Sequence, residues 1–352
     1  MTVDYIIVGQ GITGTLLSWR LLQAGKSVVV IDNAEPNTPS RVAGGVINPV
    51  TGKRAVSSWM IDQLLPVAKE TYEALGKELH INALMERDLL DFPVTRDSAA
   101  IFADRVNEGN PYLSMLTDDS ALAPYFRCNY GIGRIAPCMV VNAGLILSAW
   151  RAVLNEKECL LHQQFHLSDC TITNSSVQYK QVNAGKILFC NGAAAMTMPF
   201  FYRLPWSQDK GEALIMDIPG LPADKIYKQG SISIVPMQDG AFWVGASHHW
   251  KFTDILPTKE FRTGIEQQLD YWLKLPYTII AHHASLRPAN VDRKPFIGMH
   301  PLHPSVGICN GMGGKGFSLS PYFTHQLTQH LLHGTPLQPD VSISRYTGIL
   351  SR

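Results

Sequence analysis

Residues 5–32, YIIVGQGITGTLLSWRLLQAGKSVVVID, decide the fold. An apolar, β-prone run (5–8) leads into Gly9, Gly11 and Gly14, spaced as GxGxxG; an amphipathic helical pattern follows, and a second apolar run (27–31) ends in Asp32. Each glycine has a mechanical task. Gly9 turns the chain from strand to helix, Gly11 lets backbone approach a pyrophosphate, and Gly14 lets the helix lie close to the sheet. The helix that opens near Ile12 directs its free N–H groups at the diphosphate. Asp32 stands 23 positions after Gly9, where ribose hydroxyls need an acceptor. This strand–turn–helix–strand unit reads as a dinucleotide site. An acid at position 32 argues against a phosphorylated ribose and leaves FAD and NAD both open.

Composition sets the outer bounds. A chain of 352 residues with 45% hydrophobic content buries a large core and is expected to form two domains rather than one. With 30 basic and 29 acidic residues the formal charge is +1, so there is no strongly basic footprint for nucleic acid. Cys128, Cys138, Cys159, Cys170, Cys190 and Cys309 form no CxxC pair and no metal spacing. They read as unpaired thiols in a reducing, cytoplasmic setting, with no metal site. The opening residues lack the basic leader of a signal peptide, and no apolar run reaches the roughly 18 to 20 residues that span a bilayer.

Beyond Asp32 a polar connection leads to RVAGGVINPVTGKR (41–54), where Gly44 and Gly45 permit tight backbone passage beside a bound ring or phosphate. Residues 56–75 carry a helical stripe of Met60, Leu64, Ala68, Tyr72 and Leu75, with Pro66 placed to kink or divide it. Residues 82–134 are irregular and belong to a second domain. Asn142 caps a helix running to about residue 154. Residues 160–179 read as a hairpin or small meander. KILFC (186–190) is a buried strand, and Asn191, Gly192 and the three alanines after it form a small-residue turn that admits a ligand. Strands at 211–217, 231–236 and 242–245, with a turn at Gln238, Asp239 and Gly240, predict an antiparallel sheet, and a helix follows over 261–275.

HHASLRPANVDRKPFIG (282–298) is the most chemically suggestive stretch after the opening one. Arg287 offers a planar fork that matches a carboxylate. His248–His249 and His282–His283 are adjacent pairs, and neighbours on a strand point to opposite faces, so one of each pair is taken as a pocket residue: His248 and His283. Tyr130, Arg134 and Trp250 are candidates to shape that pocket. A last strand (306–310) opens into Gly311, Gly313, Gly314 and Gly316 before a helix over 319–332. Such a helix end stabilises negative charge on a reduced ring. Two glycine-rich strand–loop–helix sites suit FAD better than NAD.

The sequence resembles the D-amino acid oxidase and glycine oxidase superfamily of FAD-dependent amine oxidoreductases. The likeness covers essentially the whole chain through VGQGITG (8–14), AGGVINP (43–49), FCNGAAA (189–195), VPMQDGAFWVGAS (235–247), LRPANVDRKPFIG (286–298) and NGMGGKGFSLSP (310–321). The first motif is common among nucleotide proteins; its ordered combination with the last two is far more specific. The resemblance implies an α/β plus α+β fold: a Rossmann-like FAD domain (1–84, 137–206, 288–352) interrupted by an antiparallel-sheet substrate domain (85–136, 207–287). It implies that Arg287 binds the amino-acid carboxylate, and that the loop Gly313, Gly314, Lys315 and Gly316 lies beside the flavin C2 carbonyl. No cysteine stands where monomeric sarcosine oxidases link their flavin, which favours noncovalent FAD.

The implied reaction oxidises the C–N bond of a small amino acid or secondary amine by hydride transfer to flavin N5, with oxygen or another acceptor taking the electrons. Two alternatives stand beside it: a flavin enzyme acting on an aminomethyl group of a larger substrate such as modified tRNA, and a nonenzymatic dinucleotide-binding protein. A homo-oligomer is compatible with the composition.

Overall fold

The computed structural model describes residues 1–351. The opening apolar run forms the strand Thr2–Val8, which lies at the middle of the first sheet. Val28–Ile31 and Val182–Phe189 flank it, both parallel to it. Leu160–Leu161 extends the sheet beyond Val28–Ile31, and Val306–Asn310 extends it beyond Val182–Phe189, again in parallel. Ile6 and Ile7 are fully buried because helices or loops cover both faces of this sheet, which is why the strand reads as a continuous apolar run. One face packs against Ile12–Gln23, Ile61–Leu79, Ala143–Glu156 and Gly316–His333 through Leu16, Leu17, Tyr72, Trp150 and Phe323. The other face buries Tyr179, Phe189, Phe201 and Ile308.

The second sheet runs in the order Thr278–Arg287, Asp209–Asp217, Phe242–Gly245, Ile232–Pro236, Lys225–Gln229, Leu84–Phe92, Gly133–Val141, Val46–Ile47. Its neighbours are antiparallel except Lys225–Gln229 and Leu84–Phe92, which are parallel. The helix Lys259–Trp272 covers one face, setting Ile265, Leu269 and Trp272 against Leu214 and Tyr227, with Phe126 stacked on Trp272 at 4.8 Å between centroids. The chain is therefore a Rossmann-like α/β layer joined to a discontinuous, largely antiparallel sheet. The single strand Gly133–Val141 passes through residues 136 and 137, and Val46–Ile47 reaches out of the N-terminal region to pair with it.

Several bounds differ from expectation. The helix expected over 56–75 is Ile61–Leu79, since Val56–Ser57 instead pairs with Val50–Thr51 in a small hairpin. Pro66 does not divide it: the stripe Leu64, Ala68, Tyr72 and Leu75 is buried along its length and holds both sides of the proline on one core. The helix expected from 319 begins at Gly316, because Gly313–Lys315 already winds as a tight turn leading into it. Asn142 caps as expected, its side chain accepting the Leu145 N–H at 3.2 Å. Among the described residues, no helix is long and apolar enough to cross a membrane.

Candidate active site

Strand ends of the first sheet and one face of the second border a common cleft of about 770 Å³. Its wall takes in Gly9, Gly11, Asp32, Gly44, Gly45, Asn191, Gly192, Gly313, Gly314 and Gly316, and the same cleft includes Arg287 and His248. Lys315, His283 and Gly14 are not part of that wall. Gly14 works behind it: a Cβ there would stand 1.9 Å from the Gly9 carbonyl oxygen, so helix and strand approach this closely only without a side chain.

The nucleotide side is partly furnished by the protein itself. Ser40 Oγ accepts the Ile12 N–H at 3.0 Å, so a phosphate at this helix start meets a hydroxyl as well as backbone. The Asp32 carboxylate accepts the Gln10 N–H on Oδ2 and the Ala34 N–H on Oδ1, each at 2.8 Å. Arg151, from Ala143–Glu156, adds a 2.8 Å ion pair to Oδ1. A carboxylate has about four acceptor positions, so the place left for a ribose hydroxyl is on Oδ2. Sequence reading missed Arg151, since one arginine in mid-helix carries no motif.

Gly44 and Gly45 border the cleft, yet their lack of side chains answers first to protein contacts. A Cβ on Gly44 would press on the Trp243 ring at 2.7 Å; Gly45 has φ +73° and faces the Val141 carbonyl. Trp243, also on the wall, donates its indole N–H to Val42 O at 2.8 Å and fastens this loop to the second sheet.

The residues present fit a flavin dinucleotide. Two glycine-rich turns and an acid share one elongated wall, and Asn191 on that wall has a buried Oδ1 with no hydrogen-bond partner among the described residues. Gly9, Gly11, Asp32, Gly44, Gly45, Asn191, Gly192, Gly313, Gly314 and Gly316 would line the cofactor.

Around Arg287, register does what no local motif announces. Asp209 stands directly across from Arg287 on the neighbouring strand, and their side chains meet at 2.8 Å, Nη1 to Oδ2. Nη1 also donates to Ser247 O at 3.0 Å. The guanidinium lies over Gly211, where a Cβ would stand 2.0 Å from Nη2. Burial works to raise the Asp209 carboxyl, but the His248 hydrogen bond and the Arg287 charge outweigh it and hold the group below its ordinary range. Nε and Nη2 of Arg287 take no protein acceptor among the described residues, which leaves one edge of the fork for a ligand.

The histidines divide as adjacent strand residues must. His248 is on the wall and bonded to Asp209. Among the described residues His283 makes no side-chain hydrogen bond and pairs through its strand with Ala213, whereas His282 joins a polar network, with Nε2 3.0 Å from Glu212 Oε2. Desolvation lowers the pKa of His282, opposed by Glu212. Glu212 is fully buried and also accepts from Thr258 N and Oγ1. Trp250 stacks beside His248, while Tyr130 is off the wall and Arg134 pairs with Asp88. Among the described residues, no three His, Cys, Asp or Glu side chains gather as metal ligands.

Residues 4–330 match the family described as FAD dependent oxidoreductase. Glycine oxidase from Pseudomonas putida is 25% identical, with 96% of each chain covered. Among solved structures, glycine oxidase from Geobacillus kaustophilus superposes with a TM-score of 0.79 at 18% identity, covering 98% of both chains. Iminodiacetate oxidase from a Chelativorans species gives 0.76 at 19% identity, again over 98% of both. The family match runs through both glycine-rich turns and Arg287, and the chain accordingly belongs to the DAO family of FAD-dependent oxidoreductases: it is an enzyme, and its cofactor is FAD.

Proposed function

We propose that this enzyme oxidises the C–N bond of a small amino acid, or of a secondary amine, that carries a carboxylate. The observation that carries the reading is Arg287: a largely buried guanidinium on the cleft wall, held from behind by Asp209 and Ser247 O, with Nε and Nη2 uncommitted. A planar two-donor edge in a pocket of low dielectric selects a carboxylate and sets its orientation. FAD held along the glycine-lined wall would supply the hydride acceptor for conversion of the C–N bond to an imine, which water hydrolyses.

The chain's own residues anchor the carboxylate, hold the amine end in place and exclude water. Small residues elsewhere on the wall, Ser231, Ser233, Gly245 and Ala246 among them, leave room for the rest of the substrate. Residues 1–84, 137–206 and 288–352 form the FAD-holding part in this reading, and 85–136 and 207–287 the substrate part. Oxygen or another acceptor reoxidises the enzyme, and the six free cysteines support a reducing, cytoplasmic setting. Family membership removes the nonenzymatic alternative. A net charge of +1 gives a tRNA substrate no support.

The test is Arg287→Ala in flavin-loaded protein. Affinity for a carboxylate probe such as acetate, read from the flavin spectrum, is expected to fall about a hundredfold with FAD retained. Unchanged affinity rejects the role assigned to Arg287.

A further inference from the structure

The hydrogen inventory around Arg287 fixes which ring nitrogen of its neighbour His248 carries a hydrogen. Nη1 carries two hydrogens, and both have oxygen acceptors: Asp209 Oδ2 at 2.8 Å and Ser247 O at 3.0 Å. His248 Nδ1 lies 2.8 Å from the same Asp209 Oδ2 and 3.1 Å from Nη1. A carboxylate only accepts, so Nδ1 must carry the hydrogen in that pair. In the neutral ring the lone pair is then on Nε2.

The surroundings suit a base. The His248 side chain is 53% exposed on the cleft wall, whereas Asp209 is 6% exposed. Asp209 Oδ1 is buried with no hydrogen-bond partner among the described residues, so the carboxylate is shared by two cations at most: Arg287, and an imidazolium when one forms. Trp250 stacks on the His248 ring at 6.1 Å and 20°. Asp209 and Arg287 are the charged groups against that ring; the adjacent Lys210 pairs instead with Glu212 and Asp254, and Glu212 is taken up by Thr258 and His282.

Oxidation of a C–N bond by hydride loss requires a lone pair on nitrogen, and an amino acid near neutral pH arrives as an ammonium. We propose that His248 is the base that takes that proton, and that Asp209 is the positioning residue that holds its Nδ1–H tautomer. One proton passes from R–NH₃⁺ to Nε2, leaving R–NH₂ and an imidazolium facing Asp209. The imidazolium returns the proton to solvent through its exposed edge, and no electrons move in this step. The inference rests on the carboxylate-anchored reading of the site given above.

The experiment is anaerobic rapid-mixing reduction of the bound flavin across pH, with glycine, sarcosine and proline as probes, in wild type, His248→Gln and Asp209→Asn. His248→Gln is expected to slow reduction about a hundredfold near pH 7. Its rate should recover toward wild type above the amine's own pKa, where the substrate arrives deprotonated, and acetate binding should stay within about threefold. Asp209→Asn should lower the rate near pH 7, because an amide can donate to Nδ1 and so releases the tautomer that keeps the lone pair on Nε2.

A His248→Gln enzyme with the wild-type rate and profile at pH 7 overturns the proposal. So does one whose rate falls equally at every pH together with acetate binding, since that is a purely structural loss. If none of the three amines reduces wild-type flavin, the C–N reading fails and this one with it, which is a different result from either variant outcome.

Discussion

Gly211 and Asp209 acquire their meaning only from the strand beside them. Arg287 is legible in the sequence because LRPANVDRKPFIG travels with the family, but its two supports precede it by more than seventy positions and reach it through cross-strand register, Asp209 opposite Arg287 and Gly211 opposite Ser285. Gly211→Ala puts a methyl where Nη2 now lies and should displace the fork. Acetate affinity is expected to fall tenfold or more with FAD retained; a variant that binds acetate normally contradicts this packing.

The depressed Asp209 carboxyl also has a stability consequence. Its stabilisation is present above the unfolded carboxylate value of about 3.9 and is lost as pH falls through the lower folded value. Urea unfolding should therefore show wild type more stable than Asp209→Asn near pH 7, by about 3 kcal/mol or more for a broken buried pair, with the gap shrinking below about pH 4. A gap that does not change with pH would show that the charge is not what matters.

At the scale of elements, the start of the helix Lys259–Trp272 is tied directly to the strand Asp209–Asp217. Thr258 caps the helix by accepting the Phe261 N–H at 3.3 Å, and donates from N and Oγ1 to Glu212 at 2.6 and 2.9 Å. Thr258→Val removes the cap and leaves a buried carboxylate short of a partner. A loss of about 2 kcal/mol is expected by urea unfolding; a neutral substitution would mean the helix is held by its apolar face alone.

The sequence expectation placed this helix from 261, because the stripe Ile265 and Leu269 is what periodicity registers, while the cap and its link to Glu212 lie outside the stripe. The Ile61–Leu79 helix repeats the lesson from the other side. Its buried stripe was readable, but the residues before it were claimed by a hairpin whose partner, Val50–Thr51, is not helical.

Across the whole molecule, the nucleotide half was the more legible. Its parallel strands carry apolar runs, its turns need glycine, and both signals are local. The second sheet was readable as strands but not as an order: Leu84–Phe92 pairs in parallel with Lys225–Gln229, and Val46–Ile47 closes the far edge. Those pairings join segments far apart in the chain, as do the walls of the cleft, drawn from Val8 through Phe317. The Asp32 site shows the same limit, because Arg151 reaches it from a helix that carries no nucleotide motif.

The central claim, that a carboxylate-bearing amine is oxidised in this cleft, is tested most directly by an anaerobic visible spectrum of the flavin-loaded protein during titration with glycine, sarcosine, proline and D- and L-amino acids. Bleaching of the flavin bands by one class of these, and by none of the matching amines without a carboxylate, is the result the Arg287 geometry predicts. A flavin that dithionite reduces but no amino acid does would contradict it.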